Sequence, residues 1–358
     1  MTMSLALQTL WIGTYPVAGQ GSATGVGEGL WQTQLDTETG RLTPPRQVVQ
    51  IAAPSFLAFG EDPRLMYAVN ESLEGALTTL RLKGGGAEII AEVSSGGAHP
   101  CHIVFDKALH SLVVVNFTSG TLSVIEVDSN GRPHLEGPRQ VIELEGSGPV
   151  PDRQTSAHPH FVLPTPDGRH ILVVDLGSDV IRRFGRDLIA RRLVDDGAAV
   201  RMPRGSGPRH AAFSHDGRRL YVAGEFGAQL HTVEWDTANA SGHVVASVPA
   251  YPSDLGNSEL AHITVDGDKV LVGVRGADVL VEHRSDPDEG TTFQQAHHLP
   301  GSWPRHHAVI EDWTVVALQR SNRLAVLDRS GQLTDVVEVP SPACIVPANA
   351  ESEDGSAA

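Results

Sequence analysis

His160, Arg209, Glu225, Arg275 and Arg305 are the side chains in this 358-residue sequence whose types and spacing could do chemistry together. Guanidinium groups grip phosphate or carboxylate through paired hydrogen bonds. They also stabilise the oxyanion that forms when water adds to an ester carbonyl. His160 or Glu225 beside them could take the proton from that water. A strained cyclic ester is activated enough to need no metal as well. Charges gathered in an interior are costly unless paired, so their convergence points to a ligand site. The plainer alternative is one ion pair, Arg209 with Glu225, across a single hairpin.

A repeat supplies the elements that would position these groups. In each copy a short apolar strand starts just after a proline, turns, and is followed by a second apolar strand. Residues 54–59 lead to 67–71, 100–105 to 113–117, 159–163 to 172–176, and 208–213 to 221–225. Two copies are degenerate, 261–265 with 271–275 and 304–309 with 315–319. The seventh is split: residues 11–15 match only the second strand, and 342–346 supply the first. The second strands end at Tyr15, Glu71, Phe117, Leu176, Glu225, Arg275 and Gln319, 44 to 59 residues apart. That is near the length of a propeller blade. Two more strand-like runs follow the hairpins, as at 230–235 and 244–248.

These observations predict an all-β chain: a seven-bladed β-propeller, four antiparallel strands per blade, with the ring closed by the C-terminal strand joining the N-terminal blade. Residues 1–349 form this one domain, and the acidic end, 350–358, is expected to be a disordered tail. An open β-sandwich would leave the split copy without a reason.

Each hairpin folds back on itself, so the start of its first strand and the end of its second lie at one end. The first strand lines a propeller's channel, so the residues after the repeat proline should ring one mouth. They are Ser55, Cys101, His160, Arg209 and Arg305, with His262 nearest in the degenerate copy. Their partners are Glu71, Phe117, Leu176, Glu225, Arg275 and Gln319. In the four well-formed copies the offset is 16 residues (55 to 71, 101 to 117, 160 to 176, 209 to 225), so the geometry is shared.

Composition narrows the partners. The formal net charge is −16 and the pI about 5.4, whereas a nucleic-acid binder needs a basic face. No run approaches the roughly 18 apolar residues of a spanning helix. The first residues carry neither the basic region nor the cleavage site of a signal peptide. Cys101 and Cys344 make no disulfide framework. The sequence holds no G-x-S-x-G elbow, no H-E-x-x-H and no C-x-x-C. The neighbours in His297-His298 and His306-His307 point to opposite faces of a strand, so neither pair chelates by itself. A mouth rich in arginine and histidine disfavours a divalent cation. The expectation is a cytoplasmic protein, a monomer or weak homo-oligomer, without metal or cofactor. Its partner would be a small anionic molecule, with neither nucleic acid nor membrane.

The chain resembles the seven-bladed propeller lactonases of the 6-phosphogluconolactonase type. The resemblance covers nearly all of it, through Ile12-Gly-Thr-Tyr15, Pro54-Ser-Phe-Leu57, Tyr67-Ala-Val-Asn-Glu71, Gly146-Ser-Gly-Pro149, Arg153-Gln154, His158-Pro-His160, Gly205-Ser-Gly-Pro-Arg-His210, Asn257-Ser258 and Trp303-Pro-Arg-His306. It implies hydrolysis of a small anionic sugar lactone, first of all 6-phosphogluconolactone to 6-phosphogluconate. Fungal relatives, the carboxymuconate lactonizing enzymes, use a histidine, two arginines and a glutamate at the mouth. The resemblance carries these catalytic roles to His160, Arg209, Arg275 and Glu225, with His158 competing with His160. Substrate contacts are expected from His158, Arg153, Arg305, Glu71, His210 and Gln319, Arg153 reaching in from the longest inter-blade loop. The chain departs from the family at Gly224, where asparagine is usual, at Phe117, where tyrosine is usual, and at His262, near a usual glutamate. A carboxymuconate-type cycloisomerase and a non-catalytic metabolite-binding propeller stay open on the same residues.

Overall fold

The computed structural model of the chain describes residues 7–15, 29–253, 256, 258–286 and 290–348. Asn257 and the tail expected at 350–358 lie outside the described residues. Seven antiparallel sheets follow one another around a ring. The fifth blade shows the pattern: Pro208–Phe213, Arg219–Gly224, Gln229–Asp236 and Ser241–Pro249 pair in that order. The first blade is the composite one. Pro342–Pro347 pairs with Leu7–Thr14, placing Ile345 opposite Ile12, and Leu30–Asp36 and Arg41–Leu42 follow. A fifth short strand, Arg46–Val49, also pairs with Leu30–Asp36. The C-terminal strand thus closes the ring on the N-terminal blade, as predicted. Among the described residues helix is confined to two 3-10 turns, Phe226–Ala228 and Gln319–Ser321, and no helix is long and apolar enough to cross a membrane.

The second strand of each blade reads as an unbroken apolar run because both of its faces are covered. Alternate residues serve the two neighbouring blades. Leu220 and Val222 pack towards the fourth blade, while Tyr221 and Ala223 pack towards the sixth. One apolar cluster fills each of the seven blade junctions. Each fully buried valine or leucine contributes about 1.5–3 kcal/mol, so stability is spread around the ring.

At the mouth, the channel strand leaves its ladder. In the fifth blade pairing skips from Pro208–Gly224 to His210–Ala223 and omits Arg209. The same skip omits Cys101, His160, Arg305 and Ala343. A bulge of this kind re-aims a side chain. Here it turns the residue after the proline into the channel without flipping those behind it. In the sixth blade the skip covers two residues, Ala261 and His262. Counted from Leu260 opposite Val274, Ala261 stands level with Arg209 and His262 level with His210. The expected place of His262 at the mouth is therefore corrected: that copy has Leu260 where the others have proline, and His262 sits one step deeper.

Candidate active site

Four second strands end in the same way at the mouth. Tyr15, Glu71, Phe117 and Glu225 donate their backbone N–H groups to the carbonyls of Ser341, Ala53, His99 and Gly207, at 2.8–2.9 Å. Each acceptor lies two residues before a channel-facing position and has a left-handed φ between 42° and 56°. Non-glycine residues hold that conformation only where their surroundings impose it. These bonds anchor the side chains that follow around one cavity of about 400 Å³.

Seven of the predicted site residues line this cavity: His160, Arg209, Glu225, Arg275, Arg153, Arg305 and Glu71. Glu225 is the anchor of one wall. Its carboxylate contacts Arg153, lies 2.8 Å from Nη2 of Arg275 and 3.1 Å from Nε of Arg209. Burial pushes its pKa up, but Arg275, Arg209 and Arg153 outweigh this and bring it down to about 2. Arg209 is only 2 % exposed. Its Nε is not aligned to hydrogen-bond Glu225, and Nε and Nη1 both lack a partner. Burial, then Arg275 and Arg305, lower its pKa to about 9. Arg275 also donates to the Leu260 carbonyl at 2.9 Å and lies 3.2 Å from Glu259.

The facing wall is built by Tyr15, Arg305 and Glu71. The Tyr15 hydroxyl donates to Oε1 of Glu71 at 2.7 Å and accepts a hydrogen bond from Arg305, whose guanidinium lies 4.0 Å above the tyrosine ring. Burial raises the Tyr15 pKa far above its ordinary value, so the phenol stays protonated. At the rim Arg320 lies on the Trp303 ring at 3.3 Å and Arg275 at 5.3 Å. His160, buried, has an Nδ1 without a partner; burial, then Arg209 and Arg305, hold it neutral.

Beneath the cavity six rings plug the channel. Phe56, His102, Phe161, His210, His262 and His306 meet in a closed circuit, with centroids 3.9–5.7 Å apart. Burial keeps all four imidazoles neutral. Nδ1 of His102 and of His306 accept the Val162 and Ile345 N–H groups, and Nδ1 of His210 and His262 share one hydrogen bond at 2.9 Å.

Three expected substrate contacts are corrected. His210 belongs to the plug, because the bulge puts Arg209 in front of it. Nδ1 of His158 bonds the Phe117 carbonyl at 2.9 Å, and its ring stacks behind that of Phe117 at 4.7 Å, outside the cavity. Gln319 is buried away from the cavity, its side-chain O and N unpartnered. Sequence reasoning passed over Tyr15, Glu259, Trp303 and Arg320, which also line the site. Tyr15 ends a second strand as Glu225 does, and Trp303 precedes a repeat proline, so both carried a signal. Glu259 and Arg320 carried none. Among the described residues no three His, Cys, Asp or Glu side chains are grouped so as to hold a metal ion.

Comparison with known proteins agrees with the seven-bladed fold. Residues 9–347 match the family model "Lactonase, 7-bladed beta-propeller". A 6-phosphogluconolactonase of Bacillus subtilis is 26% identical over 350 residues, covering 94% of this chain and 97% of that protein. A 6-phosphogluconolactonase of Formosa agariphila is 27% identical, covering 88% and 92%. Among solved structures, a periplasmic gluconolactonase of Pseudomonas aeruginosa has a TM-score of 0.85 at 27% identity, covering 96% of this chain and 99% of that one. A propeller matched from its first described strand to its last, with arginine, glutamate and histidine side chains at one mouth of its channel, belongs to the seven-bladed β-propeller lactonase family.

Proposed function

We propose that the protein hydrolyses a small anionic sugar lactone, with 6-phosphogluconolactone, opened to 6-phosphogluconate, as the first substrate to test. The observation that carries this reading is Arg209, a guanidinium almost wholly removed from solvent with two nitrogens unspent. Glu225, 3.1 Å from Nε, balances its charge, but neither nitrogen makes a hydrogen bond, and a buried donor left so is costly unless a ligand supplies the bond.

The charge balance points the same way. Arg153, Arg209, Arg275, Arg305 and Arg320 face Glu71, Glu225 and Glu259, so the cavity keeps two positive charges in excess within a chain of net charge −16. Among the described residues Arg305 and Arg320 form no ion pair with a carboxylate. Such a basin draws anions, and its 400 Å³ falls within the size range of small-molecule sites.

Water adds to the lactone carbonyl, and the unspent N–H groups of Arg209 meet the oxyanion. The ring C–O bond then breaks and the ring oxygen takes a proton. Glu225 is occupied by three guanidiniums and serves to aim them. His160 is the neutral imidazole in the cavity and carries the proton. Side chains alone perform these steps, so activity is expected to persist in EDTA. The names of similar proteins support the class of reaction, and include both phosphorylated and plain gluconolactone.

Hydrolysis followed in a pH-stat on freshly made 6-phosphoglucono-δ-lactone and on glucono-δ-lactone, with EDTA, tests the reading. Faster opening of the phosphorylated lactone is expected. No rate above the spontaneous background on either would refute it. Deuterium from the solvent on substrate carbon would instead identify a cycloisomerase.

A further inference from the structure

Water attack needs a base, and the base most visible in the sequence is not free. Glu225 has Oε1 on Arg153 and Oε2 on Arg275, and the charges around it leave its carboxylate little affinity for a proton. His160 is a weak base for the same reason, buried among guanidiniums. A second carboxylate in the cavity is held differently. Glu71 is 5 % exposed. Its Oε1 is held at 2.7 Å by the Tyr15 hydroxyl, and its Oε2 is buried with no partner. No arginine or lysine nitrogen within the described residues lies in ion-pair range of it; the Tyr15 phenol stands between it and Arg305.

A small chamber lies against the floor of the cavity and shares Glu71, Cys101, His160, Arg209 and Arg305 with it. Its volume, about 10 Å³, is close to that of a single water position. Five buried polar atoms without hydrogen-bond partners belong to the side chains that line it: Oγ of Ser55, Oε2 of Glu71, Nδ1 of His160, and Nε and Nη1 of Arg209. A water bound inside a protein makes about three hydrogen bonds to such groups. Acceptor, donor and amphoteric partners are all present.

We propose that this chamber seats the attacking water and that Glu71 is its general base, with His160 relaying the proton to the ring oxygen. The assignment rests on the lactonase reading above. The water oxygen bonds the carbonyl carbon as one of its protons passes to Oε2 of Glu71, and the oxyanion forms against Arg209. When the ring C–O bond breaks, the ring oxygen takes the N–H proton of His160, and His160 recovers a proton from Glu71. The product is the open hydroxy acid, which loses a proton to solvent. Glu71 and His160 end as they began, so the atoms balance as lactone plus water. Tyr15 is a positioning residue: its hydroxyl fixes Oε1 and so points Oε2 into the chamber.

The test compares the parent, Glu71→Gln and Glu71→Ala on the lactone that the parent opens fastest. Glu71→Gln keeps the shape and the contact with Tyr15; it is expected to lower kcat by about 100- to 10,000-fold with KM little changed. Formate, a small carboxylate that fits the space left in Glu71→Ala, is expected to restore part of kcat in a saturable way, and to do nothing for the parent. A purely structural role would not be rescued by formate. A parent that hydrolyses lactones while Glu71→Gln keeps more than a tenth of its kcat overturns the assignment of Glu71 alone. So does a Glu71→Ala variant that is folded, impaired and indifferent to formate. A parent inactive on every lactone overturns the reaction and this assignment together.

Discussion

Glu225→Gln removes one charge and keeps the shape of the side chain. In the folded protein that charge is 2.8 Å from Arg275 and 3.1 Å from Arg209, both buried. The contact with Arg153, whose side chain is 42% exposed, is more screened and contributes less. A carboxyl brought from 4.5 down to about 2 contributes about 3 kcal/mol to folding at neutral pH. Removing one partner of a buried ion pair costs about 3–5 kcal/mol by mutational experience. The two routes agree, so a loss of about 3 kcal/mol is expected at pH 7.

The pH dependence carries a sign. A depressed carboxyl stabilises the fold fully above its unfolded value of 4.5, and that contribution is lost as the pH falls from 4.5 towards 2. Glutamine does not titrate. Denaturant unfolding of parent and variant from pH 7 to pH 3 should therefore give a gap that narrows below pH 4.5, because the other carboxylates titrate in both proteins and cancel. Inorganic phosphate should restore more stability to the variant than to the parent, since the variant's cavity has one more uncompensated positive charge. Equal unfolding free energies at pH 7, or a gap unchanged down to pH 3, would refute the view that Glu225 holds the guanidinium cluster together.

Other expectations follow from the same geometry. Arg209→Ala should lower kcat for lactone opening at least about 100-fold, read by pH-stat, because both unspent donors disappear. Arg320→Ala should raise KM for a phosphorylated lactone about tenfold and leave that for the plain lactone unchanged, since among the described residues Arg320 lies on the Trp303 ring and pairs with no carboxylate. His102→Phe should destabilise the plug by about 1–3 kcal/mol at pH 7 by orphaning the Val162 N–H. That loss should shrink in acid: burial lowers the His102 pKa from 6.5 to about 3, so its contribution is full above pH 6.5 and falls away towards pH 3.

The ring, its closure and the mouth were legible because they follow from patterns with a period. A second strand covered on both faces must be apolar throughout, as in 220–223, and a split copy at the two ends has one simple explanation. The shared offset of 16 residues put Glu71, Phe117 and Glu225 in register, and the backbone bonds from Glu71 to Ala53, Phe117 to His99 and Glu225 to Gly207 are the physical form of that offset. What a period cannot convey is the bulge. Strict alternation places Arg209 and His210 on opposite faces, whereas the skipped pair lets both reach the channel at different depths. His210 was expected in the site and His262 at the mouth, whereas both belong to the plug. His158 and Gln319 differ again. Their positions were read correctly, but the direction of a side chain depends on neighbours such as Phe117 that no spacing reveals.

The departures from the repeat explain why the site has two unlike carboxylates. Glu71 and Glu225 end equivalent strands and donate equivalent backbone bonds, yet their neighbours around the ring differ. Glu225 has arginines at the bulged position of its own blade and at the strand end of the next, so it is saturated with guanidinium. Glu71 has Ser55 at the equivalent position of its own blade and Cys101 in the next, neither of them charged, while the preceding blade offers Tyr15. The same backbone therefore presents one carboxylate as a fixed counter-ion and the other as an acceptor with a free oxygen. That division follows from which residues occupy equivalent positions around a ring, and it would be reversed by exchanging them: Ser55→Arg should pair Glu71 with a guanidinium and occupy its free Oε2. Turnover retained in Ser55→Arg at more than a tenth of the parent's would contradict that division of roles.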